Sequence, residues 1–359
     1  MKDYKMGREF KEKLESRGIT RRDFLKICGT LATMMGVSQA SVPKIAGAIE
    51  KTAKKPSVVW TAFAACTGCS ESLLKAYQPG IAKIVLDIIS LDYHNTINAA
   101  SGEQNISLLN DLIKKGDYIW LAEGAVPEED GFCEIGDKQC KDWATELAKN
   151  AQAIVAVGTC SSAGGIPGAR PNPGKVKSIA EATGATVINL TGCPPNPDWM
   201  ISTLVYWLTY KKLPPLDSKN RPLFIYGQTV HDICPRRGMF EEGNFVPYPG
   251  APEEAKEFCL YKVGCKGPAA PANCPQVLWN HKTNWCNGGG QCIGCTDANF
   301  PDAETPFYGM LPGVAIPGFA GTTVTADKLG LVAGAAAVVG IGVHAAAGAV
   351  AGKNKKAEK

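Results

Sequence analysis

Short apolar runs recur through the first half of the chain, and each stops at a loop of unusual composition. SVVWTAFA (57–64) runs into ACTGCS, DYIWLA (117–122) into EGAVP, AIVAVG (153–158) into TCSSAGGIPGA, and TVINL (186–190) into TGCPPNP. Between them lie helical patterns: NISLLNDLIKK (105–115), DWATELAKN (142–150) and DWMISTLVYWLTYKK (198–212). Continuous apolar strands alternating with amphipathic helices predict a parallel sheet covered on both faces. In such sheets sites gather at the carboxyl ends of the strands. The pattern therefore predicts a flavodoxin-like α/β domain over 56–212. Residues 213–222 form a Pro-rich linker. Periodicity then fades: residues 223–310 are rich in Gly, Pro, Asn and Cys, a composition with little apolar core that folds around cofactors.

The two ends carry different signals. Thr20 to Ala40 contains Arg21-Arg22, then Phe24 and Leu25, then a mildly apolar run, with a small-residue cleavage site at Ala46–Ala48. This has the form of a twin-arginine export signal over 1–48; an ordinary amphipathic helix is the alternative. At the far end, Leu329 to Gly352 holds no Asp, Glu, Lys or Arg, and Lys353, Lys355 and Lys356 follow. A helix over 326–352 would be long enough to span ~30 Å of hydrocarbon, with its basic end in the cytoplasm and the body in the periplasm. A soluble or interfacial helix is the alternative. His344 lies in this run, where it would face a haem or quinone site or make a plain interhelical hydrogen bond.

Charge narrows the field only a little. The formal net charge is +4, but residues 1–48 carry ten Lys/Arg against five Asp/Glu. The remainder is close to neutral, which gives no sign of a nucleic-acid partner. Cysteine changes the picture more. A chain of 359 residues that is 45% hydrophobic needs no disulfide staples, yet it has 14 cysteines. They call for chemistry.

Three groups stand out. Cys66-x2-Cys69, Cys160 and Cys193 all follow predicted strands, so they converge at one sheet edge. Gly68, Gly158 and Gly192 allow backbone N–H groups to approach the sulfurs, as an iron–sulfur cluster requires. Zinc and a redox dithiol remain open for Cys-x2-Cys alone. His231-x2-Cys234 with Cys259 and Cys265 is the second group. Cys274, Cys286, Cys292 and Cys295 form the third. Seven periplasmic disulfides are the competing account. Cys133 and Cys140 stand outside the groups, as a bridge or as plain thiols, and Cys28 would leave with the export signal.

The strings CTGCSESLL, LDYHNTINAASG, AVGTCSSAGGIPGA, TGCPPNPDWM, GCKGP and CIGC followed by NFPD resemble the small subunit of nickel–iron hydrogenases. The likeness runs over 20–310, and the C-terminal anchor is similar to that of membrane-bound uptake members. The resemblance implies a proximal 4Fe–4S cluster on Cys66, Cys69, Cys160 and Cys193. It implies a distal 4Fe–4S cluster on His231, Cys234, Cys259 and Cys265, and a medial cluster on Cys274, Cys292 and Cys295. Many members carry Pro where this chain has Cys286, and their medial cluster is then 3Fe–4S. A thiolate there predicts a 4Fe–4S medial cluster. Ala65 stands where many members have a carboxylate, and Gly68 and Gly168 stand where oxygen-tolerant members have extra cysteines. The family implies hydrogen oxidation at a nickel–iron site in a separate large subunit, without which this chain is inert. Electrons would pass to a membrane cytochrome b or quinone-reactive subunit, or to a periplasmic cytochrome c. Two rival functions are the cluster subunit of a related quinone-reducing complex and a zinc-stabilised, membrane-anchored binding protein.

Overall fold

The computed structural model describes residues 4, 6–16, 18–51, 55–77, 80, 89–279, 282, 288–311, 314–315, 323–324, 334–342 and 344. Residues 1–309 form one compact unit and 310–359 a second.

The first unit is built on a five-stranded parallel sheet: β1 (Ser57–Ala62), β2 (Ser90–His94), β3 (Tyr118–Glu123), β4 (Ala151–Val157) and β5 (Ile188–Leu190). The strand order is β2-β1-β3-β4-β5, and every pairing is parallel. This is the flavodoxin-like order, as the alternation of runs and helices predicts. Side chains alternate between the faces, as the two-residue period of a strand demands. Val58, Trp60, Ile119 and Leu121 enter one core cluster. Val59, Tyr118, Trp120 and Ala122 enter the other, against the helices Gly102–Lys115 and Cys140–Asn150. β2 is the one strand the apolar pattern did not announce. It lies at the sheet edge with only Tyr93 and His94 buried, so its sequence SLDYH carries no continuous apolar run.

The opposite face is covered by the helix Pro197–Tyr210, which starts where Asn196 Oδ1 accepts the Asp198 N–H at 2.9 Å and Pro197 occupies the first turn. Upon it pack the helices Arg21–Met34 and Val42–Lys51. Phe24, Cys28, Leu31, Ile45 and Ala46 are buried there in the same core cluster as the sheet. The expected export segment 1–48 is thus folded onto the body, with the Ala46 of its expected cleavage site fully enclosed.

Residues 223–309 are irregular. Their helices are single turns such as Leu223–Tyr226, Arg237–Glu241 and Cys274–Val277. Their own core is four residues, Val246, Ala251, Leu260 and Val263. Cys133 and Cys140 form a disulfide across a two-residue-strand hairpin, with Cα atoms 5.4 Å apart, inside the usual range.

In the second unit, 334–342 are helical and exposed. Most of the expected span 326–352 lies outside the described residues. Among the described residues no helix is long and apolar enough to cross a membrane.

Candidate metal centres at the sheet edge and in the irregular region

The carboxyl ends of β1, β4 and β5 deliver the first group. Cys66 and Cys69 follow β1, Cys160 follows β4 and Cys193 follows β5. The backbone bends sharply to present them. Thr67 sits at φ 62°, in the left-handed region that a non-glycine residue enters only when held there. Gly158 has φ 94°, and a Cβ there would come 2.5 Å from Cys69 Sγ. A Cβ on Gly165 would strike Cys160 N at 2.7 Å. These glycines keep a cradle open around the sulfurs.

The four thiols act on one another. Burial, then Glu123 and the neighbouring thiols, pushes the Cys69 thiol well up. Burial and then Cys193 push Cys160 up to about 11. Burial, then Cys295, then Cys66 push Cys193 up to about 11. Proton-holding thiols crowded in one place are what a polynuclear metal centre converts to thiolates, releasing the protons as it binds. Among the described residues no three donors converge tightly enough for a single ion.

Behind Cys69 lies a polar network that the cysteine pattern did not announce. Glu123, at the end of β3, is buried. Its Oε1 accepts the Cys69 N–H at 3.1 Å, and its Oε2 accepts Trp60 Nε1–H at 2.9 Å and Ser70 Oγ–H at 2.5 Å. His94 Nδ1 accepts the Thr96 N–H at 3.1 Å, which leaves Nε2 as the protonated nitrogen, 3.0 Å from Ser70 Oγ. Burial lowers the His94 pKa, so the ring stays neutral. The network fixes the peptide that carries Cys69. Its sequence trace was the strings EGAVP and LDYHN, which mark the residues without showing that they meet.

His231, Cys234, Cys259 and Cys265 line one small cavity. The Arg236 N–H points at Cys234 Sγ and the Gly267 N–H at Cys265 Sγ, each at 3.4 Å. Such donors offset sulfur charge. The His231 ring packs edge-on against Phe240 at 4.6 Å. Burial, then Arg237, lowers its pKa and keeps the imidazole in the neutral, ligating form. Burial raises the Cys259 thiol.

The third group is dispersed between these two. Cys292 lines the same cavity as His231. Cys274 and Cys295 both bear on the buried Tyr226 hydroxyl, and Cys295 bears on Cys193. Cys286 lies outside the described residues. A two-sided cradle, sulfur-directed N–H groups and an all-thiol or thiol–imidazole donor set fit iron–sulfur clusters.

A family model for the 20 kDa subunit of NADH ubiquinone oxidoreductase matches residues 66–207, and one for the C-terminal part of the NiFe/NiFeSe hydrogenase small subunit matches 226–308. The chain is 42% identical over 311 residues to a periplasmic NiFe hydrogenase small subunit 1 of Nitratidesulfovibrio vulgaris, covering 84% of this chain and 98% of the relative. It is 39% identical to the quinone-reactive Ni/Fe-hydrogenase small chain of Wolinella succinogenes, over 92% of this chain and 96% of the other. A solved NiFeSe hydrogenase structure from Desulfomicrobium baculatum superposes with a TM-score of 0.68 at 36% identity, covering 72% of this chain and 100% of that one.

Proposed function

The chain belongs to the small-subunit family of nickel–iron hydrogenases, and from that premise we propose how its residues serve hydrogen oxidation. It is an electron-transfer subunit that acts with a nickel-binding large subunit. The proximal set is Cys66, Cys69, Cys160 and Cys193. The medial set is Cys274, Cys292 and Cys295 with Cys286 as fourth ligand. The distal set is His231, Cys234, Cys259 and Cys265. Bound iron–sulfur clusters supply one-electron steps at these three places. The protein positions them. Glu123 holds the Cys69 peptide, Arg236 and Gly267 present N–H groups to the distal sulfurs, and neutral His231 makes that last site less negative than four thiolates would. Cys66 is exposed, and the exposed Ile97, Phe132 and Ile166 follow β2, β3 and β4 on the same edge. That edge receives the large subunit.

The observation that carries this reading is the meeting of three strand-end loops, drawn from positions 66 to 193 of the sequence, around mutually interacting thiols. The match over 226–308 favours it over the quinone-reducing complex, whose subunit shares only the first domain. The test is metal analysis of the anaerobically purified complex. About twelve iron atoms and as many sulfides per chain are expected; stoichiometric zinc would refute the reading.

The same reading extends to location. Residues 1–48 direct export through the twin-arginine route, and 326–352 anchor the chain in the membrane beside a cytochrome b or quinone-reactive partner. The Cys133–Cys140 disulfide suits an oxidising compartment. Arg21 and Arg22 are exposed while Ala46 is buried within a helix. The leader is therefore readable while docked, and it is cut only after it has been drawn off the Pro197–Tyr210 helix.

A further inference from the structure

Resting on the assignment of the three ligand sets above, a second question is what joins one set to the next. Between the medial and distal sets the link is main chain: the Lys266 N–H donates to the Cys292 carbonyl at 2.7 Å. Lys266 follows Cys265, so a single hydrogen bond connects a distal ligand to a medial one. Any residue at 266 other than proline would make it.

Between the proximal and medial sets the link is a side chain. Thr159 precedes Cys160 and is fully enclosed, with 1% exposure. Its Oγ1 accepts the Gly192 N–H at 2.9 Å and donates to the Cys295 carbonyl at 2.5 Å. Its own N–H donates to the Gly192 carbonyl at 3.0 Å. Gly192 precedes Cys193. One hydroxyl therefore touches the peptide of a proximal ligand on one side and the carbonyl of a medial ligand on the other. The O···O distance lies at the short end of the range for hydroxyl hydrogen bonds, and hydrogen bonds in series strengthen one another by polarisation. The proximity of Cys295 to Cys193 is also felt electrostatically, since Cys295 disfavours charge on Cys193.

We infer that Thr159 is a positioning residue for electron transfer: its hydroxyl completes a bonded path from the proximal to the medial set. Tunnelling decays more slowly through covalent and hydrogen bonds than across an empty gap of equal width. Losing the hydroxyl removes this bridge between Gly192 and Cys295. One electron leaves the proximal centre and one arrives at the medial centre. No bond forms or breaks, and the hydroxyl proton stays on Oγ1. A plain packing role is the competing account, because any buried hydroxyl needs partners.

The test compares Thr159→Ser with Thr159→Ala in the intact large–small complex, a pair that differs only in the hydroxyl. Thr159→Val adds the isosteric case. Three readouts are taken: iron content, the potentials of the clusters, and the exchange splitting between proximal and medial spins in electron paramagnetic resonance, alongside rapid-freeze kinetics of medial reduction by hydrogen. With iron and potentials unchanged, Ala and Val should weaken the exchange splitting and slow medial reduction severalfold, while Ser stays near wild type. Equal splitting and equal rates in Ser and Ala overturn the inference. So does loss of iron from the Ser variant, which would make Thr159 a packing residue. Absence of iron from the wild type would instead defeat the ligand assignment, a separate failure.

Discussion

Between residues 57 and 212 the ligand loops hang from strands buried on both faces, whereas between 223 and 309 they hang from single helical turns around a core of four residues. Fully burying an aliphatic side chain contributes ~2 kcal/mol, and ordering the backbone costs ~1 kcal/mol per residue. The first region meets that cost with two large clusters. Among its described residues the second has only Val246, Ala251, Leu260 and Val263 in a core of its own, with Ile225, Tyr226, Val230, Ala270 and Ala272 joining the larger core. The sheet thus presents ligands from a scaffold that exists without them. In the irregular region the same contrast predicts that bound metal supplies much of the stability.

The most drastic way to break this contrast is to remove iron. Chelation under reducing conditions should abolish hydrogen-exchange protection across 223–309. The amides of β3 and β4 should stay protected. Parallel loss in both regions would show that the sheet also depends on its cluster.

A smaller, local test compares one glycine in each region. Gly158→Ala puts a Cβ 2.5 Å from Cys69 Sγ at φ 94°, and strain plus overpacking should cost about 4 kcal/mol along with the proximal iron. Gly243 has φ 76° with nothing within 4 Å, so Gly243→Ala should cost only about 1 kcal/mol and no iron. Unfolding midpoints and metal analysis of both variants check the ordering. Similar losses at the two positions would mean that backbone strain alone, and not the cradle, sets the effect.

How much of this could be read from the sequence follows the same division. β1, β3, β4 and β5 were legible because doubly buried strands must be continuous apolar runs. β2 was not, because only Tyr93 and His94 of SLDYH are buried. The meeting of Cys66, Cys69, Cys160 and Cys193 was legible, since strand ends in a parallel sheet share an edge. Glu123 and Thr159 were not, because their roles arise only when loops meet; Thr159 and Cys295 are 136 residues apart. Amphipathicity in 21–51 was visible, but the surface it covers was not. Cys28, expected to leave with an export signal, lies buried in that contact. A spacing of seven residues permitted the Cys133–Cys140 bridge without requiring it.

The irregular region also carries a buried carboxyl with a raised pKa. Glu304 is buried, its Oε2 has no hydrogen-bond partner, and its side chain presses on Gly294 beside Cys295. Burial, then Asp297, raises its pKa to about 7, with Lys266 opposing. The folded state therefore holds the proton more tightly than the unfolded chain does. That contribution is intact below the unfolded value near 4.5 and is lost as pH rises through about 7. Glu304→Gln, neutral throughout, should escape the loss. Its stability relative to wild type should grow between pH 5 and pH 8 by at most about 3 kcal/mol. Denaturant unfolding at the two pH values measures this, and a pH-independent difference would remove Glu304 as the cause.

The smallest expected change is a single iron atom. Cys286 lies outside the described residues, and Gly288 to Gly290 follow it in sequence. With Cys274, Cys292 and Cys295 as the proposed medial ligands, a fourth thiolate at position 286 would hold one further iron. Cys286→Pro should therefore remove about one iron in twelve. Gently oxidised variant should then show a 3Fe-type paramagnetic signal of one spin per molecule that the wild type lacks. Its medial potential should rise, making the step to the distal centre steeper and return of electrons toward hydrogen slower. The same signal in undamaged wild type would show that Cys286 is a spare thiol. The irregular region would then hold its medial cluster with three ligands, and would depend on that cluster less than the contrast with the sheet requires.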